Sequence, residues 1–134
     1  MPGVPSLADD RDAIRDLYAR YVRSVDTGDV DTFVSLYAAD AVFVGGGVGG
    51  PDVVGHEALR EFAAGLRVGS THRLSLNHVI DVDGDRAECH SSIVTLAGTT
   101  VVSTGRVHDE FRRVDGTWRI ARRTFTPDPA PVAR

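Results

Sequence analysis

Apolar residues recur at helical spacing near the start of the chain. Ile14, Leu17, Tyr18, Tyr21, Val22 and Val25 share one side, while Arg11, Asp12, Arg15, Asp16, Ala19 and Arg23 fill the other. That period predicts a helix from about Leu7 to Thr27, capped by Asp9 or Asp10 and stopped by Gly28. A shorter helix is expected over Val30–Tyr37, with Asp29 as N-cap and Phe33, Leu36 and Tyr37 on its apolar side. Ala41–Val44 reads as a strand from its β-branched and aromatic content. Gly45–Asp52 is a glycine-rich loop, and a third helix follows from about His56 to Leu66.

Beyond that helix the pattern changes to strands, over about Thr71–Val82, Arg86–Leu96, Thr100–Val114 and Thr117–Phe125. The links Asp83-Gly84-Asp85, Ala97-Gly98-Thr99 and Asp115-Gly116 are short and contain glycine, the signature of antiparallel hairpins. Thr126–Arg134, with three prolines, reads as a tail. Helices first and a meander of long strands afterwards define an α+β fold in one domain, residues 1–134. Such a sheet curls around its helices and leaves a pocket between its concave face and the first helix.

Composition narrows the function. At 42% hydrophobic and 25% charged residues, the chain belongs to the ordinary globular class. The net charge of −4 argues against nucleic acid as the main partner. No apolar run approaches the ~20 residues of a membrane span, and Met1–Asp10 lacks the layout of a signal peptide, so a cytoplasmic location is expected. One cysteine, Cys89, excludes an internal disulfide. All fifteen basic residues are arginine, so lysine Schiff-base chemistry is excluded.

Asp26 lies in the last turn of the first helix, at the edge of the apolar stripe, where it either satisfies the local turn or faces the pocket. His72, Leu74, Leu76, His78, Ile80 and Val82 are expected to share one inward strand face by alternation. A histidine there needs a polar partner, either a backbone carbonyl or an aspartate that would orient the ring and raise its basicity. His90, on the next strand, either lines the same pocket or sits on a solvated or dimer face, and Cys89 points the opposite way. No ligand pair has the short spacing of a known metal motif, so no metal is expected. The glycines of Gly45–Gly50 formally match a dinucleotide fingerprint, but Pro51 and Asp52 intervene before the next helix and no βαβ unit follows. Arg119, Arg122 and Arg123 lie on the last strand, at a solvated edge, at a subunit contact, or with one of them in the pocket. Tyr18 and Tyr21 lie on the core side of the first helix, where such tyrosines mostly pack, but a hydroxyl reaching the pocket would orient a substrate.

The run Ile14-Arg15-Asp16-Leu17-Tyr18, then Tyr21, Val25-Asp26, Gly28-Asp29, Leu36-Tyr37 and Asp40-Ala41, resembles the opening of SnoaL-like proteins of the nuclear transport factor 2-like superfamily. Gly55-His56-Glu57-Ala58-Leu59 resembles the third helix of that family, and Asp115-Gly116-Thr117-Trp118-Arg119-Ile120 its final hairpin. The likeness spans about residues 7–125. It implies a cone-shaped α+β barrel, with three N-terminal helices packed on a curved, mainly antiparallel sheet, that usually forms a homodimer through the sheet.

Within the superfamily, the scytalone dehydratase and hexachlorocyclohexane dehydrochlorinase branches imply that Asp26 and His72 form a catalytic dyad, with the histidine as base. They also place His90 and Arg119 in the pocket. Tyr21 stands where the dehydrochlorinase has a lysine, and Val107 stands near the position of a pocket asparagine in scytalone dehydratase. The ketosteroid isomerase branch fits less well, since its base would fall near Gly45.

The resulting expectation is a cofactor-independent dehydratase, lyase, isomerase or cyclase that abstracts a proton from carbon in a small, largely apolar substrate. Asp26 and His72 would be catalytic, with Tyr21, His90 and Arg119 binding substrate. The alternative is a non-catalytic ligand-binding or assembly module of the same fold, such as an oxygenase small subunit.

Overall fold

The computed structural model describes residues 5–129. Helix α1 spans Leu7–Thr27, as the apolar period predicts. Its cap is Ser6, one turn earlier than the expected aspartates. Ser6 Oγ accepts from the Asp9 backbone N–H, and Asp9 in turn accepts from the Ser6 N–H, a reciprocal capping box. Gly28 ends the helix at φ 75°, a left-handed conformation that favours glycine.

Helix α2, Val30–Ser35, is shorter than expected, because Tyr37 opens strand β1, Tyr37–Phe43. Tyr37 pairs in parallel with Ile120 of the last strand, and this sheet contact overrides the local helical pattern. After a glycine turn come β2 (Val53–Val54), which the sequence reading does not anticipate, and α3 (Gly55–Ala64). The remaining strands are β3 (His72–Asp83), β4 (Arg86–Ala97), β5 (Thr100–Val114) and β6 (Thr117–Pro127). Strand β6 therefore runs into the stretch expected to be tail, and residues 130–134 lie outside the described ones.

The six strands form one open, curved sheet in the order β2-β1-β6-β5-β4-β3, antiparallel except for the β1–β6 pair. The helices pack on its concave side. Ile14, Leu17, Tyr18, Tyr21 and Val25 of α1 are buried there with Phe33, Leu59, Ile80, Phe111, Trp118 and Ile120. Register shifts within the β3–β4, β4–β5 and β5–β6 pairs mark bulges, which bend and twist strands. The buried carboxylate of Asp10 anchors the start of α1. It accepts from Arg113 Nη1 at 2.7 Å and from the Trp118 indole at 3.1 Å.

Two bulges decide what faces inward. Asn77 adopts φ 57° between Leu76 and Val79, where the β3–β4 register shifts. The shared face expected for His72, Leu74, Leu76, His78, Ile80 and Val82 is therefore broken in the middle. Arg73 and Ser75 point inward before the bulge, opposite Thr95 and Ile93, whereas Ile80 points inward after it, opposite Cys89. In β6, the register shift opposite Glu110 and Phe111 carries the inward positions from Trp118 and Ile120 to Arg123 and Phe125.

Candidate functional site

Between the helices and the sheet lies a partly open cavity of about 330 Å³ with walls from Tyr21, Val25, Phe33, Phe43, Phe62, Leu66, Ile93 and Phe125. Two guanidinium groups, those of Arg73 and Arg123, enter this otherwise mostly apolar space. A groove of about 420 Å³ runs outside it along the edge where α1 meets β3, lined by Tyr18, Val22, Asp26, His72, Leu74 and His78 among others. Arg73 lines both spaces.

Asp26 reaches from the last turn of α1 to the first residues of β3. Its Oδ2 accepts the Arg73 backbone N–H and its Oδ1 accepts Arg73 Nη1, both at 3.0 Å. His72 Nδ1 stands 3.3 Å from the same Oδ2, slightly long for a good N–H···O bond. The His72 side chain is 68% exposed and belongs to the groove, because strand alternation turns Arg73 inward and His72 out. Asp26 and His72 thus meet, at the rim of the cone and not within its cavity.

Tyr21 is buried in the cavity wall, and its hydroxyl shares a 2.9 Å hydrogen bond with that of Tyr37. Burial raises the pKa of both phenols, so both remain protonated. His90 and Arg119 lie outside the cavity lining. His90 is exposed on the outer sheet face because Cys89, its neighbour, is fully buried on the inner one. Arg119, between the buried Trp118 and Ile120, donates to the backbone carbonyl of Ser35 instead.

Of the three arginines that the sequence offered on the last strand, Arg123 and not Arg119 lines the cavity, and Arg73 joins it there without having been singled out. Arg123 is 4% exposed, and its guanidinium carbon stands 4.1 Å from the centroid of the Tyr21 ring. Nη1 donates to Asp109 Oδ2 at 2.9 Å, the only hydrogen bond of this guanidinium among the described residues. A guanidinium has five N–H donors, so this cavity-lining side chain has donors to spare for a bound molecule. Tyr18 donates to the same Asp109 oxygen at 2.6 Å. Burial pushes the Asp109 carboxyl above its usual range, against the opposing pull of Arg123 and the Tyr18 hydrogen bond. One sequence signal was available. Asp109 alternates with Val107 and Phe111, and an aspartate on an apolar strand face calls for a buried cation.

Among the described residues, the one group of three side chains placed to share a metal ion is Glu88, His90 and His108, on the far side of the sheet from this cavity.

Three helices on a curved six-stranded sheet, with a mostly apolar cavity between them, give the fold of the nuclear transport factor 2-like superfamily. The SnoaL-like domain family matches residues 6–124, and the chain belongs to that family. A protein of unknown function with a cystatin-like fold from Nostoc punctiforme is 25% identical, with a TM-score of 0.82 over 93% of this chain and 95% of that one. A protein of unknown function from Mycobacterium tuberculosis is 29% identical, with a TM-score of 0.79 over 90% of this chain and 77% of that one. A type 2 hexachlorocyclohexane dehydrochlorinase shares the fold at 20% identity, with a TM-score of 0.77 over 92% of this chain and 89% of that one. No curated protein matches the sequence. Among the described residues no helix is long and apolar enough to cross a membrane.

Proposed function

We propose that this protein is a cofactor-independent enzyme of the lyase or isomerase type that removes a proton from carbon in a small, largely apolar molecule. The observation that carries the reading is the approach of His72 Nδ1 to the Asp26 carboxylate, itself held by two Arg73 donors. In this reading Asp26 orients the imidazole through Nδ1–H and stabilises the imidazolium, leaving Nε2 as the base. The reacting carbon lies at the rim, in the groove that His72 lines, and the substrate's apolar body extends past Arg73, which borders both spaces, into the cone. A carbonyl or leaving-group oxygen accepts from the free N–H groups of Arg123, which stabilise the negative charge developing there. Expulsion of a leaving group or reprotonation at another carbon completes an elimination or an isomerisation.

Proton abstraction can be tested before the product is known. The protein is incubated in D₂O with a panel of cyclic ketones and hydroxyketones, and exchange of C–H for C–D is followed by mass spectrometry. The wild type is expected to catalyse exchange on at least one compound, and His72→Ala and Asp26→Asn to lose it while remaining folded. Undiminished exchange in His72→Ala would refute the dyad.

A second reading, a non-catalytic ligand-binding module, is favoured by the 68% exposure of His72, which leaves a base on an open rim. It predicts retention of a small molecule in the purified protein, visible by native mass spectrometry, and no exchange. The proposal also includes pairing of two chains through the outer sheet face. The exposed Leu76 and Val79 support this, and sedimentation velocity tests it.

A further inference from the structure

We propose that Glu88, His90 and His108 form a zinc-binding site on the outer face of the sheet. His90 of β4 and His108 of β5 are directly opposed in the antiparallel register, and Glu88 precedes His90 by two residues on the same strand face. The two imidazoles stack with centroids 4.5 Å apart and planes 12° apart. His108 Nε2 stands 3.3 Å from Glu88 Oε2, and one ligand atom from each of the three residues lies within 4.8 Å of the others. Tetrahedral zinc with N and O bonds of 2.0–2.2 Å holds its donors about 3.3–3.5 Å apart. The Glu88–His108 pair already has that spacing. The remaining approach needs only side-chain rotation, since Glu88 and His90 are exposed and His108 is partly so.

The charges around the site are mixed: Asp81 and Glu110 flank Glu88 on the neighbouring strands, while Arg86 and Arg106 lie next to Glu88 and His108 along the same face and Arg122 stands opposite Glu110. Two imidazole nitrogens select a late first-row ion over calcium or magnesium, which prefer all-oxygen sets. Three protein donors at the surface leave the fourth position to water. The site is separate from the cone cavity, because Cys89 and Asp109, the strand neighbours of these histidines, are fully buried on the inner face. Strand parity and cross-strand register create it, so it has no short spacing in the sequence.

Zinc chloride is titrated into the full-length protein by calorimetry in a non-chelating buffer. One saturable site per chain is expected. Affinity should fall tenfold or more in His90→Ala and in His108→Ala, fall in Glu88→Gln, and vanish in the double histidine variant. Circular dichroism checks that each variant is folded, and His90→Asn with His108→Asn serves if an alanine variant is not. Cobalt(II) provides a second readout, with a visible absorption band of low-coordinate cobalt in the wild type that the double variant lacks. Absence of saturable zinc binding, or undiminished binding in the folded double variant, overturns the proposal.

Discussion

Arg73 holds the Asp26 carboxylate twice, through its backbone N–H and through its guanidinium, each at 3.0 Å. This ties the end of α1 to the start of β3 and sets a positive charge against the negative end of the helix dipole. Replacing Arg73 with Met removes the charged donor from a carboxylate that is only 12% exposed. A loss of roughly 1–3 kcal/mol is expected, with Arg73→Lys recovering part of it. Urea unfolding of the three proteins measures it, and equal stability of wild type and Arg73→Met would deny the bond any structural weight.

Asp109 and Arg123 are 0% and 4% exposed and face each other inside the cone. Arg123→Met leaves a buried carboxylate without its cation, at an expected cost of about 3–5 kcal/mol. Removing both charges, as in Asp109→Leu with Arg123→Met, should recover most of that. Ligand retention should nevertheless remain lost in the double variant, since the N–H donors lining the cavity are gone. Denaturation together with native mass spectrometry separates the two effects.

His78 packs its ring on Tyr18 with centroids 4.4 Å apart and hydrogen-bonds Ser75. Burial, then the charges of Arg15 and Arg123, lower its pKa from the ordinary 6.5. The folded state therefore binds this proton less readily than the unfolded chain. The contribution of His78 is present above pH 6.5 and is lost as pH falls from there through the folded-state pKa. Compared with His78→Phe, which keeps a ring and cannot titrate, the wild type should lose more stability between neutral and mildly acidic pH. Parallel pH profiles of unfolding free energy would contradict this.

Gly105 of β5 lies beneath the Phe125 ring of β6. A Cβ there would fall 2.6 Å from Phe125 Cζ and 2.7 Å from the Thr126 carbonyl oxygen. The ring can turn, but the carbonyl belongs to the paired strand. Gly105→Ala should cost roughly 1–3 kcal/mol, and Phe125→Leu should relieve it only in part. Thermal unfolding of the single and double variants gives the coupling.

At Asn77, φ is 57°, a region that glycine enters freely and β-branched residues resist. Asn77→Gly should be near neutral and Asn77→Val should destabilise by about 1–2 kcal/mol. A larger loss in the glycine variant would show that the asparagine side chain, rather than the backbone, sustains the bulge.

Much of the fold was legible in the sequence because it is local. The 3.6-residue apolar period of α1 gave its limits, Leu7–Thr27, and the Gly-containing links gave the three hairpins. Family membership followed from the same helical opening and final hairpin, and the match over residues 6–124 bears it out. The helical period put Asp26 at the edge of the apolar stripe of α1 and left open whether it closes the local turn or faces the pocket. Which neighbour it meets from inside the cone was not legible. A single extra residue at a bulge reverses every later side chain of a strand, and the residue pattern alone does not locate that insertion. The bulge at Asn77 separates the face of His72, Leu74 and Leu76 from that of Ile80, with Arg73 inward. The shift in β6 puts Arg123, not Arg122, in the cavity. The sequence by itself thus determined the main helices and long strands, their order and the family, but not the short strand β2 or the switch from helix to strand at Tyr37. Only the tertiary structure, through strand register, decided which of two adjacent residues lines the pocket and which reaches solvent.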